Sequence, residues 1–229
     1  MLLTNDNDGP ITCVHTLTFD DAAQRKMFHQ YANEPDGLPV ARGAQGNMFA
    51  CPYDSLRDDN ITYMLSRWET KADWDTYFNH RKEISPDWFL PNCEPHTVLI
   101  TRELDSSPTK KNVAKGNRLF ALGHDAVLNF HIWQFDSAAL RDEVHSFWGQ
   151  EPGLPASAAY PGNLFVSGFE AIEKENQLVA LNGWESLDIF IAYRQHRRDT
   201  APDALQHFLS DEVMVQAKMV PGFEDPRAA

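Results

Sequence analysis

Cysteine and positive charge are the scarce features of this 229-residue chain. Its three cysteines, Cys13, Cys51 and Cys93, are an odd number with no CxxC pair, so neither a disulfide framework nor a thiolate zinc site is indicated. They read as reduced packing residues. Nine histidines are present, yet HExxH and HxH are missing, and no metal site is expected. Twenty Lys and Arg against 33 Asp and Glu leave a net charge of −13, which repels nucleic-acid phosphate and anionic membrane surfaces. No apolar run approaches the roughly 18 residues that a membrane span requires, and the opening MLLTNDNDGP has no basic segment followed by an apolar one. A cytoplasmic location is the expectation. GxGxxG, the P-loop and GxSxG are absent too, so a tightly held Rossmann-type dinucleotide and hydrolase chemistry are not suggested.

What the chain does contain is a repeat. GLPVARGAQGNMFA, from Gly37, returns as GLPASAAYPGNLFV from Gly153, and SRWETKADWDTYFNHRK, from Ser66, returns as NGWESLDIFIAYRQHRR from Asn182. His15 and His131 stand 131 − 15 = 116 residues apart, and Gly46/Gly162, Trp68/Trp184, Tyr77/Tyr193 and His80/His196 keep that offset. Such register marks a duplicated unit. The copies run over 10–104 and 124–222, and the polar segment 105–123 between them reads as a surface linker. With 42% hydrophobic residues, each copy has enough apolar side chains to bury a core.

Within each copy, Ile11–Phe19 and Val127–Phe135 are rich in β-branched and aromatic residues and read as first strands. Asp20 or Asp21, and Asp136 or Ser137, supply N-cap oxygens for a following helix, which EPDGLP and EPGLP then terminate. Second strands are expected at Asn47–Cys51 and Asn163–Gly168, after turns in which Asn tolerates unusual backbone, and third strands at Ile61–Trp68 and Gln177–Trp184. Thr70, with Asp73 three residues on, has capping-box spacing, and Trp74, Tyr77 and Phe78 recur on one helical face. Last strands at Thr97–Glu103 and Val213–Val220 complete β-α-β-β-α-β, and Ala201–Leu209 adds a short helix in the second copy. The expected class is α+β: tandem ferredoxin-like repeats whose bare sheet faces cover each other, because each exposed Val, Leu, Ile or Phe costs roughly 1.5 to 3 kcal/mol.

Trp184-Glu185-Ser186-Leu187-Asp188 with Tyr193-Arg194 and His196, and Trp68-Glu69-Thr70-Lys71-Ala72 with Tyr77 and His80, resemble the strand-to-helix signature of the antibiotic biosynthesis monooxygenase superfamily. The resemblance implies a dimeric α/β barrel, here formed within one chain. Cofactor-free members place an Asn four residues before the strand-three Trp, where this chain has Met64 and Ala180. Haem-degrading members use an Asn, a Trp and a helix-borne His, of which Trp68 with His80, or Trp184 with His196, is similar to a part. In size and duplicated layout the chain most resembles the tandem oxygenases that open a ring of angucycline-type aromatic polyketides. That likeness implies dioxygen and diffusible reduced flavin, FADH2 or FMNH2, supplied transiently by a flavin reductase.

Candidate site residues follow from position. His15 and His131, mid-strand in equivalent places, serve as a base or donor to a phenol, or are hydrogen-bonded core histidines. Trp68 and Trp184, with Trp133, form the wall of an aromatic pocket or pack in the core. Tyr77 with His80, and Tyr193 with His196, share a helical face, so a phenol and an imidazole can point at one cavity. Arg194 pairs with a flavin phosphate or a substrate carboxylate, or forms a surface ion pair. The catalytic set is therefore His131, Tyr193, His15 and His196, acting on a polycyclic aromatic quinone or phenol. Rival readings are a cofactor-free or haem-degrading enzyme and a non-catalytic polyketide-binding module. Further association into a homodimer is left open.

Overall fold

A computed structural model of the chain describes residues 9–105, 107, 125–200 and 213–224. The helix expected at Ala201–Leu209 and nearly all of the linker lie outside the described residues. Two compact units form: one is Met1–Arg102 with Val220–Ala229, and the other is Glu103–Met219.

The first unit contains β1 (Ile11–Thr18), α1 (Ala22–Asn33), α2 (Leu38–Gly43), β2 (Asn47–Ser55), β3 (Ile61–Trp68), α3 (Lys71–Ile84) and β4 (Val98–Glu103), with 3₁₀ turns at Asp87–Cys93 and Pro95–Thr97. The second contains β5 (Val127–Gln134), α4 (Ala138–Trp148), α5 (Leu154–Ala159), β6 (Asn163–Ala171), β7 (Gln177–Trp184), α6 (Leu187–Thr200) and β8 (Val213–Met219). Both sheets are antiparallel, in the order β4-β1-β3-β2 and β8-β5-β7-β6. The class is α+β.

Local chemistry sets the element ends. Asp21, not Asp20, caps α1 by accepting from the Gln24 amide at 2.8 Å, and Ser137, not Asp136, caps α4 by accepting from the Leu140 amide at 3.2 Å. Thr70 caps α3 by accepting from the Asp73 amide at 3.1 Å. At the turns into β2 and β6 the left-handed backbone belongs to Gly46 (φ +72°) and Gly162 (φ +79°), while Asn47 and Asn163 begin the strands. The unusual backbone expected of Asn falls one residue earlier.

Helices α2 and α5 were not expected from the sequence. The Pro and Gly cluster does stop α1 and α4, but Pro39 and Pro155 fall in the first turn of a new helix, where a missing N–H costs nothing. Each unit is completed by a segment that lies far off along the chain. In the first unit the Val220 amide donates to the Pro52 carbonyl (3.1 Å), and Arg42 and Cys51 donate to the Phe223 carbonyl. In the second unit the Leu104 amide donates to the Gly168 carbonyl (2.8 Å), and Leu104 joins a core with Phe135, Val144, Trp148 and Leu178.

Gly37 and Gly153 sit where α1 meets α2 and α4 meets α5. A Cβ on either would lie 2.2 Å from a backbone carbonyl oxygen, that of Tyr31 or Phe147, which cannot rotate aside. Gly153→Ala is therefore expected to lower the unfolding free energy by about 1 to 3 kcal/mol in urea denaturation. Gly43→Ala, whose Cβ meets nothing within 4 Å, serves as the neutral comparison; equal losses in the two variants would contradict the packing described.

Candidate functional site

Each unit holds a cavity between its sheet and its helices, and the two cavities are built from equivalent positions. All residues lining the second, Arg198 apart, have a counterpart 116 earlier lining the first. Their contents differ.

In the first unit about 40 Å³ remains. Phe89, carried by the turn after α3, stacks on Phe28 with ring centroids 5.5 Å apart and planes 7° from parallel. The His15 Nε2–H donates to the Asn92 carbonyl, and the Phe78 ring meets the imidazole edge to face with centroids 5.9 Å apart. Burial lowers the His15 pKa from 6.5 to about 4; the Asn92 carbonyl opposes this, and the Arg81 charge adds to it. The imidazole is thus neutral and tethered. Burial likewise pushes the Tyr77 phenol up to about 12, against the nearby Arg81 charge.

The second cavity measures about 100 Å³. Ala180 stands where the first unit has Met64, and Arg194 where it has Phe78. His131 is 7% exposed and lies against Trp133, with centroids 5.6 Å apart and planes 13° from parallel. Asn182 and Ser157 replace Ser66 and Ala41, and the Ser157 hydroxyl donates to Asn182 Oδ1 at 3.1 Å. Apolar walls of Trp133, Trp148, Val144 and Leu154 thus meet an imidazole, a phenol (Tyr193) and a guanidinium at one place.

The structure therefore brings His131, Trp133, Tyr193 and Arg194 together, and gathers His15, Trp68 and Tyr77 in the tighter first cavity. It does not bring in His196 or His80. Both are exposed, His196 with its ring 5.4 Å from Tyr160 and His80 3.8 Å from Glu83 on an outer groove. The inward stripe of α6 is the buried Phe190 with the half-buried Tyr193, Arg194 and Arg197; Tyr193 lies at its edge, so a further i+3 step, to His196, leaves it. Trp184 is not among the residues lining the second cavity. Wholly buried, its ring packs 4.5 Å from Tyr193 and 5.9 Å from Phe190. Trp68 is as deeply buried, and its indole N–H donates to Ser66 Oγ at 2.9 Å.

Asn182, Ser157, Trp148 and Arg197 went unnoticed in the sequence. Asn182 was within reach, since it precedes Trp184 by two and so shares its strand face. Ser157 lies on the unexpected α5. Among the described residues no group of three or more His, Cys, Asp or Glu is placed to hold a metal, and no helix is long and apolar enough to cross a membrane.

No protein-family model and no curated protein sequence matches this chain. Solved structures do resemble it. A Fusobacterium nucleatum protein that carries the name of a monooxygenase is 8% identical, with a TM-score of 0.58 over 96% of this chain and 95% of its own. An anthrone oxidase-like protein is 14% identical (TM-score 0.59, 93% and 92%). A mutant chlorite dismutase from Candidatus Nitrospira defluvii, in complex with cyanide, is 12% identical (TM-score 0.61, 96% and 93%). At these identities the likeness is one of fold.

The neutral His15 carries a pH signature. The unfolded chain takes up a proton near pH 6.5 and the folded chain only near 4, so the contribution of this burial is complete above about 6.5 and declines as pH falls toward about 4. Urea midpoints across this window should fall less steeply for His15→Gln, which keeps a donor for the Asn92 carbonyl but does not titrate. Parallel slopes would contradict the burial of a neutral imidazole.

Proposed function

We propose that the chain is an oxygenase that oxidises a polycyclic phenol or quinone of the aromatic-polyketide class in the cavity of its second unit. The observation that carries this reading is the difference between the equivalent cavities: about 40 Å³ remains in the first and about 100 Å³ in the second, whose lining, among the described residues, collects His131, Tyr193 and Arg194. We read both units as copies of one ferredoxin-like βαββαβ repeat, from their shared strand order and the offset of 116. Similarity of fold to monooxygenase-named and anthrone oxidase-like proteins supports an oxidative enzyme.

Trp133 and Trp148 offer ring surfaces for stacking, and the apolar walls exclude water. At about 100 Å³ the cavity is smaller than a hollow of roughly 150 Å³ known to bind benzene, so one ring enters and the rest of a multi-ring ligand extends through the mouth. His131 accepts the proton of a bound phenol, the Tyr193 hydroxyl donates to a quinone carbonyl, and Arg194 stabilises the oxyanion that results. In the Baeyer–Villiger form of the reaction, one oxygen atom of dioxygen enters beside a quinone carbonyl and the other leaves as water; ring opening follows. Reduced flavin from a partner reductase would supply the two electrons. Arg194 and Arg198 are the side chains that would hold its phosphate, since the lining contains arginines and, among the described residues, no carboxylate. The haem-degrading alternative loses its helix-borne ligand, because His80 and His196 are exposed away from both cavities.

Anaerobic mixing of the protein with an angucyclinone and chemically reduced FMN or FAD, followed by air, should consume the substrate only when flavin is present. His131→Ala should slow turnover by at least about tenfold with little change in melting temperature. Trp184→Ala should instead unfold the protein more easily, by about 3 to 5 kcal/mol, as loss of a buried indole does. Flavin-independent turnover would replace this reading with the cofactor-free one, and full activity of His131→Ala would remove the site.

A further inference from the structure

We infer that Asn182 makes the second cavity selective for a ligand that presents a neutral carbonyl oxygen, a ketone or a quinone, to its side-chain amide. The inference deepens the reading above and rests on it only for the place where the ligand binds.

The comparison between copies isolates this residue. Asn182 lies on β7 between Ala180 and Trp184, on the strand face they share, and it lines the cavity while only 5% exposed. Its counterpart is Ser66, whose hydroxyl accepts the Trp68 indole N–H at 2.9 Å and is thereby used within the wall. The second unit does not repeat that bond. Ser157 stands where the first unit has Ala41, and its hydroxyl donates to Asn182 Oδ1 at 3.1 Å. The two replacements act as a pair: a hydroxyl on α5 occupies the amide oxygen and leaves the two hydrogens of Nδ2 for another acceptor.

Among the described residues no protein acceptor takes them. Asn129 lies directly across from Asn182 on β5, yet its own Oδ1 is unpaired, so the two amides do not bond each other. Trp184, two residues on, offers only an N–H, which is itself without a partner among the described residues. A buried amide donor is rarely left in this state. The surrounding walls are the apolar Trp133, Trp148, Val144 and Leu154, so the acceptor that completes the amide arrives with the ligand. A carbonyl oxygen accepts along its lone pairs, in the plane of the ring that bears it, and a flat ketone or quinone can therefore meet the amide edge-on while its face packs against an indole.

Titration calorimetry with acetophenone and its near-isostere α-methylstyrene, in which a CH2 replaces the carbonyl oxygen, tests this without turnover. The greater hydrophobicity of the alkene cancels when the ratio of the two affinities is compared between variants. Asn182→Leu, similar in size and without a donor, should lower the ketone-to-alkene ratio at least about fivefold relative to the wild-type chain. Combining Asn182→Leu with Ser157→Ala leaves no orphaned hydroxyl; this double variant should show the same loss and keeps the test decisive if the single variant folds poorly. In infrared difference spectra the C=O stretch of bound acetophenone should lie at lower wavenumber in the wild-type chain than in Asn182→Leu. An unchanged ratio, no binding of acetophenone to the wild-type chain, or a C=O stretch that is the same in both would overturn the inference. So would an Asn182-dependent preference for phenol over toluene in place of one for the ketone, because the amide would then present its oxygen. A chain that shows the predicted loss yet never consumes dioxygen would lose the oxygenase reading and retain this one; turnover with an unchanged ratio would do the reverse.

Discussion

An indole pressed beneath a phenol organises each unit. Trp68 and Tyr77 lie 4.8 Å apart at 30°, and Trp184 and Tyr193 lie 4.5 Å apart at 32°. Both indoles are wholly buried at the end of a third strand, so the helix that follows cannot roll about its axis without tearing this stack apart. Its orientation is thereby fixed. The next positions on the same stripe, Phe78 or Arg194 and Arg81 or Arg197, are held over the strand that carries His15 or His131. The clamp from Arg81 or Arg197 to a loop carbonyl secures the far side. A conserved frame of this kind lets a few side chains decide whether the space beneath is core or site.

The copies have taken opposite courses. In the first unit, Phe28 and Phe89 stack in the gap, the imidazole is neutral, and the Trp68 N–H is satisfied by Ser66. In the second, Asn182 turns its oxygen to Ser157, and the buried Trp184 Nε1 has no hydrogen-bond partner among the described residues. Asn129, the cross-strand neighbour of Asn182, is 0% exposed with both amide atoms unpaired, where the first unit has Cys13. Unpaired buried polar atoms cost about 1 to 3 kcal/mol each.

Much of this was legible in the chain. The offset of 116 is what makes the chain read as a duplication, because Trp, Tyr and His keep their frame, and the strand and helix patterns follow from residues such as Trp74 and Phe78. His131, Trp133, Tyr193 and Arg194 could be chosen because period and position place them facing one layer. The short helices escaped because Pro39 and Pro155 read as stops when they are starts. His196 was misplaced because Tyr193 already stands at one edge of the stripe, and three further residues, 60° short of a full turn, carry the side chain past that edge. The completion of each unit by Val220–Phe223 or by Leu104 depends on distant backbone pairs that no local pattern encodes. Nor could the unequal cavities be foreseen, since Phe89 comes from a turn outside the repeated motifs.

The central claim is that the larger second cavity, rather than its smaller counterpart, receives the ligand. A crystal structure of the complex with a hydroxynaphthoquinone tests it most directly. The account predicts one ring against Trp133, with ligand oxygens within about 3 Å of His131 and of Arg194. A ligand seated over His15, or bound outside both cavities, would contradict it.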